Sequence, residues 1–184
     1  MIVAVVVGAT ALLVASRGPR TEGPLLNGDA GVIVYAFSAG ATVTYGLQTL
    51  SNTDLADDIE LISVEARMGE PGVELLGEPQ LLGPGRVPVM DAGAFDVVQG
   101  WPPYDIAPVP VEGAVVRAGA RSPFEVVVPL SVPDEEQGIG IIEGFVVEYE
   151  AGGRRYREET DMVLVICPIE SHAACDAFDP DTDL

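Results

Sequence analysis

The sequence predicts an all-β chain: an antiparallel β-sandwich of about 7–9 short strands behind an N-terminal hydrophobic segment. Three observations carry this. Apolar residues recur with a period of two over stretches of five to ten residues, the signature of half-buried strands. Clusters of Gly, Pro, Asn and Asp punctuate those stretches at short intervals. No amphipathic pattern persists beyond two helical turns.

The strands follow in order. Gly31–Phe37, GVIVYAF, is the first, and Ser38-Ala39-Gly40 turns the chain. From Ala41 to Ser51 the pattern alternates, with Val43, Tyr45 and Leu47 expected on one face and Thr42, Thr44, Gly46 and Gln48 on the other. Ser51-Asn52-Thr53-Asp54 is turn chemistry, and Ile59–Met68 is the next strand. Val73–Leu82 reads as a strand interrupted by Gly77 and Pro79. Prolines then crowd the stretch from Gly83 to Ser122, including the pair in Trp101-Pro102-Pro103-Tyr104. Proline cannot donate to a sheet ladder, so this stretch is expected as edge and loop. Phe124–Val132 returns to strand, and Met162–Ile166 forms the last, buried one.

The segment around Gly152-Gly153 permits a register to be written from the letters. A two-residue Gly-Gly loop suits the primed turns of hairpins. Ala151 then faces Arg154, Glu150 faces Arg155, Tyr149 faces Tyr156 and Glu148 faces Arg157. Two opposite-charge pairs share one face and an aromatic pair takes the other, which is how cross-strand neighbours stabilise a ribbon. The run GFVVEYEAGGRRYREE through MVLVICP resembles the final strands of bacterial Ig-like domains in membrane-tethered proteins. That likeness covers about a third of the chain. It implies an Ig-like sandwich and carries over no functional residues.

The domain organisation expected is a hydrophobic membrane or signal segment over 1–16, a linker over 17–28, the sandwich over 29–168 and an acidic tail over 169–184. Ile2–Ala15 is uncharged, but fourteen helical residues reach only about 21 Å against a hydrocarbon core of about 30 Å. The stretch reads as a signal-type core, as part of a membrane helix, or alternatively as a buried Val-rich strand. Arg17 and Arg20 follow it, which by the positive-inside rule argues against export of what comes after. A cystine argues for it. Cys167 and Cys175, the only cysteines, enclose seven residues and are expected to clip the tail to the last strand outside the cytoplasm. The chain is therefore expected to be membrane-anchored with an extracytoplasmic domain, or secreted after signal cleavage.

Charge and composition exclude some functions. The net charge is −20, with nine basic residues, all Arg, against twenty-nine acids. Such a field repels phosphate, so nucleic acid is excluded as a partner. The acidity reads as solubility or salt adaptation, or as complementarity to a cationic partner. The single His, His172, lies in the tail with no evident partner for a triad or a metal. Asp179, Asp181 and Asp183 alternate like Ca²⁺ ligands but lack the glycine and distal glutamate of an EF-hand. Asn52, Asp54, Asp57 and Asp58 form a second acidic turn of unspecific spacing. Trp101 and Tyr104 either form an aromatic platform for a partner or plug their own loop onto the end of the sandwich.

No catalytic residue, metal ligand, cofactor or small-molecule substrate is indicated. The expected role is a non-catalytic interaction module or accessory subunit, partnered with an envelope or integral membrane protein. The alternatives are a Ca²⁺- or carbohydrate-binding module and a hydrolase.

Overall fold

The computed structural model describes residues 19–27, 31–52, 56–83, 97–103, 106–119 and 124–171, with positions 173, 175 and 178. The N-terminal apolar segment, Tyr104, His172 and the aspartates of the tail lie outside the described residues, as does Asp54. Among the described residues no helix is long and apolar enough to cross a membrane.

Among the described residues there are twelve strands, more than the 7–9 expected because five of them have only two or three residues: β1 (Leu25–Asn27), β2 (Gly31–Phe37), β3 (Thr42–Asn52), β4 (Ile59–Met68), β5 (Glu74–Leu75), β6 (Gln80–Leu82), β7 (Val98–Gln99), β8 (Val115–Val116), β9 (Phe124–Ser131), β10 (Gly140–Ala151), β11 (Arg154–Glu159) and β12 (Met162–Pro168). They form two six-stranded sheets. One runs β1-β3-β9-β5, with β6 also on β9 and β7 on β3. The other runs β2-β12-β10-β4-β8, with β11 also on β10. Among the described strands β2 and β12 pair in parallel and the other pairs are antiparallel, where the sequence reading expected an antiparallel sandwich throughout.

Alternation builds the core between the sheets. Val126, Val128 and Leu130 of β9 face Phe145, Val147 and Tyr149 of β10, all within one buried cluster. Tyr45 and Phe145 stack across the gap with ring centroids 5.7 Å apart. Each such fully buried side chain contributes about 1.5–3 kcal/mol relative to exposure.

The hairpin register is the one written from the sequence: Ala151↔Arg154, Glu150↔Arg155, Tyr149↔Tyr156 and Glu148↔Arg157. Gly152 and Gly153 both have positive φ, 55° and 69°, as the expected type of turn requires. Tyr149 and Tyr156 stack at 5.1 Å. The ionic face differs in detail. Both Arg155 and Arg157 bond Glu148, the former diagonally, and Glu150 is exposed. The Arg155 guanidinium holds the Glu148 carboxyl below the usual carboxylate range against the opposing effect of burial, and Arg157 adds to it.

Three expectations are corrected. The single alternation expected over Ala41–Ser51 breaks at a register shift between Tyr45 and Gln48, which face Val128 and Val126 respectively. The extra residue of this bulge reverses the phase, so Leu50 rather than Thr49 continues the core series. Residues 17–28, read as a linker, are docked over part of their length. Leu25–Asn27 pairs with β3, and Arg20 exchanges backbone hydrogen bonds with Arg155 and Arg157. Here Gly23 stands so close to Tyr149 that a Cβ would lie 2.1 Å from its hydroxyl. That hydroxyl donates to the buried Glu158 carboxylate and accepts from the Leu25 N–H, and burial raises its pKa. Finally, the tail begins as structure: Ile169–Ser171 is a 3-10 turn, and Cys175 is buried.

Candidate functional site

The two edges of β4 part company after Leu61. One edge pairs with β10 from Ile59↔Ala151 to Met68↔Ile142, with register shifts between Leu61 and Ser63 on β4 and between Ile142 and Gly144 on β10. The other pairs with β8 at Ile59 and Glu60, and Leu61 exchanges backbone bonds with Gly113 and Ala114. Beyond Leu61, among the described residues, no strand pairs with this edge.

Proline explains why the sheet stops. The chain arriving at this edge reads Pro108-Val109-Pro110-Val111-Glu112. Val109 makes both backbone bonds of a bridge to Leu81, at 2.8 and 2.9 Å, which ties it to the opposite sheet. Pro108 and Pro110 have no N–H with which to extend that ladder. The segment crosses between sheets and reaches β4 only at residues 113–116.

The result is a groove of about 1060 Å³ between the sheet edges. One wall is β4 from Ile62 to Ala66, the other is Leu75–Gln80, and residues 108–112 close one end. The second wall is held to β9 by β5, β6 and the Leu76 N–H to Pro129 bond of 2.9 Å. Val64 and Ala66 point to the core, whereas Ser63 and Glu65 share the outer face with Glu148 and Val146 opposite them. Leu76 is 47% exposed at the rim. Glu65, Glu78 and Glu112 are exposed, and the lining contains no basic residue. Among the described residues no ion pair includes any of these three carboxylates. The groove thus offers apolar walls, a run of backbone edge and negative charge.

The residues singled out from the sequence lie elsewhere. Cys167 and Cys175 come together as a disulfide pair with Cα atoms 6.1 Å apart. Alternation puts Cys167 on the face of β12 opposite Ile166, so the pair holds the tail to the outside of its sheet. Trp101 is half-buried and packs with Val98 and Ile106 against Leu82 and Val127. Val127 lies between the core residues Val126 and Val128, so Trp101 covers the outer face of the β9 sheet rather than an end of the sandwich. Tyr104 is outside the described residues. In the acidic turn, the Asn52 amide donates to the carbonyls of Asp57 and Val116. The Asp58 carboxylate accepts from the Ala118 N–H and pairs with Arg117, in that order the causes of its lowered pKa. These groups serve the chain's own loops. Among the described residues no cluster of His, Cys, Asp and Glu has the arrangement of a metal site.

Sequence reasoning missed the groove because its walls come from three distant segments. The one signal was proline: Pro79, Pro108 and Pro110 mark stretches unable to complete a sheet, and an incomplete sheet implies an open edge somewhere. No family model matches the chain, and no curated protein matches it.

Proposed function

We propose that this chain is a non-catalytic interaction module: an Ig-like sandwich tethered by its N-terminal segment, outside the cytoplasm, docking an envelope or integral membrane protein. The observation that carries this reading is the groove beside β4. Apolar walls supply contact area, and a backbone edge supplies directional hydrogen bonds. The Cys167–Cys175 pair supports an oxidising compartment, since such pairs persist there and are reduced in the cytosol.

The test is purification of the full chain from native membranes in gentle detergent, with the co-purifying proteins quantified. A partner retained by the wild type and lost from Leu76→Lys supports the reading, because Leu76 is exposed and its change is expected to leave the fold intact. A chain that co-purifies with nothing, or turns over a sugar or peptide substrate through one carboxylate, overturns it. Reporter fusions after Leu184 test the compartment; activity only in the cytoplasm refutes it.

A further inference from the structure

We infer that the occupant of the groove is an extended, basic segment of a partner protein that adds to the open edge of β4 as a strand. This rests on the interaction-module reading and names the chemistry of its partner.

The open edge alternates. Val64 and Ala66 face the core side and Ser63 and Glu65 the outside. A strand laid alongside lies about 4.8 Å away and copies that alternation, so every second side chain enters the gap between the sheets. Those positions meet Val64, Ala66, Leu75 and Val111 and take apolar residues. The intervening positions stand next to Glu65 on the outer face, where an opposite charge is the stabilising cross-strand neighbour. Glu78 and Glu112 on the rim and the net charge of −20 act in the same sense. Ile62 is the extra residue of a bulge between Leu61 and Ser63, so the alternating edge runs over the four residues from Ser63 to Ala66 and sets the paired length at about 13 Å. The walls differ in what they can contribute. On the second wall Pro79 lacks a donor, whereas β4 contains no proline from Ile59 to Met68, so the new strand joins β4. Strand addition of this kind takes affinity from main-chain bonds and specificity from alternate side chains.

The experiment uses a defined probe, an acetylated and amidated heptapeptide of alternating Lys and Val, with calorimetry on the full chain in detergent at about 0.15 M salt, where surface charges are screened over about 8 Å. Its control carries the same side chains with alternate backbone nitrogens methylated, which preserves charge and removes pairing. The expected result is binding of the probe at least about tenfold tighter than of the control, weakened by a similar factor in Glu65→Lys and in Leu76→Lys. Amide exchange at Ser63–Ala66 is expected to slow only when the probe is present. Equal binding of probe and control overturns the inference in favour of unspecific charge attraction. No binding overturns it too, while the contact reading is judged separately by the native partner. Protection of Ser63–Ala66 in the free chain overturns it in favour of the chain's own residues 84–96. A dimer in sedimentation that Leu76→Lys dissociates overturns it in favour of a second copy.

Discussion

Two regions built from the same alternating pattern end in opposite states. The β10–β11 hairpin is closed: every position from Val146 to Ala151 has a cross-strand partner in β11 and another in β4. Among the described residues between Glu74 and Val116 the strands have two or three residues each, and none pairs with the second edge of β4 beyond Leu61. Hydrophobicity does not separate them, since both are rich in apolar residues, among them Val146 and Val147 in the first and Val109 and Val111 in the second. Backbone donors and turn geometry do. Gly152-Gly153 returns the chain in register, whereas Pro79, Pro108 and Pro110 remove donors where a ladder would have to continue. A closed ribbon is a device for stability and an interrupted edge is a site for addition.

Stability is expected to reside in the first region, and the sharpest test is Gly144. It sits at the bulge between Ile142 and Phe145 with φ +129°, and a Cβ there would lie 2.3 Å from the Thr160 carbonyl oxygen. Gly144→Ala is expected to cost about 4 kcal/mol, read from the midpoint of urea unfolding. A shift under about 1 kcal/mol would show that this half tolerates rearrangement and is not the rigid one.

Trp101 is the intermediate case, from the proline-rich stretch but packed on Leu82 and Val127. Trp101→Ala is expected to destabilise by about 1–3 kcal/mol, less than a fully buried aromatic, while the domain stays folded by circular dichroism. No loss of stability would favour the partner platform over the loop plug, the two roles that the sequence left open for the indole.

The ionic face of the hairpin contributes less. Because the folded pKa of Glu148 is depressed, its contribution is present above the ordinary value of 4.5 and lost as pH falls through the lower folded value. Glu148→Gln is expected to lower stability by about 0.5–1 kcal/mol at neutral pH, with the gap to wild type closing below pH 4.5. A gap that persists in strong acid would mean that packing of the Glu148 stem, not its pairing with Arg155 and Arg157, is what was lost.

The groove rim is expected to contribute least. Leu76→Lys and Glu78→Lys should each change unfolding stability by no more than about 0.5 kcal/mol, since both side chains are exposed. A loss comparable to Gly144→Ala would break the comparison, because the rim would then be part of the folding core.

Legibility in the sequence followed locality. Strands β2 and β4 stand at the bounds read from the sequence, Gly31–Phe37 and Ile59–Met68. The hairpin register was readable because Gly152-Gly153 constrains both strands within a few residues. The diagonal bond from Arg155 to Glu148 was not, since it depends on strand twist and rotamers rather than on which residues face each other. The bulge in β3 was hidden because the extra residue between Tyr45 and Gln48 leaves the apolar spacing up to Leu47 undisturbed, and only pairing with β9 reveals the slip. The docking of residues 20–27 was hidden because Gly23 and Pro24 look like linker chemistry. The small side chain at 23 is instead what admits the Tyr149 hydroxyl.

By itself the sequence determined the all-β class, the main strands, the hairpin register and the charge that any partner must accommodate. Each follows from spacing along the chain: side chains alternate every two residues, glycines permit positive φ, and charge is additive. The pairing of β12 with β2, the crossing of residues 109–116 between sheets and the groove left beside β4 were decided only in three dimensions. Those features depend on which backbone donors meet which acceptors across long stretches of chain. Proline shows where a donor is missing but not which neighbouring strand is left without a partner.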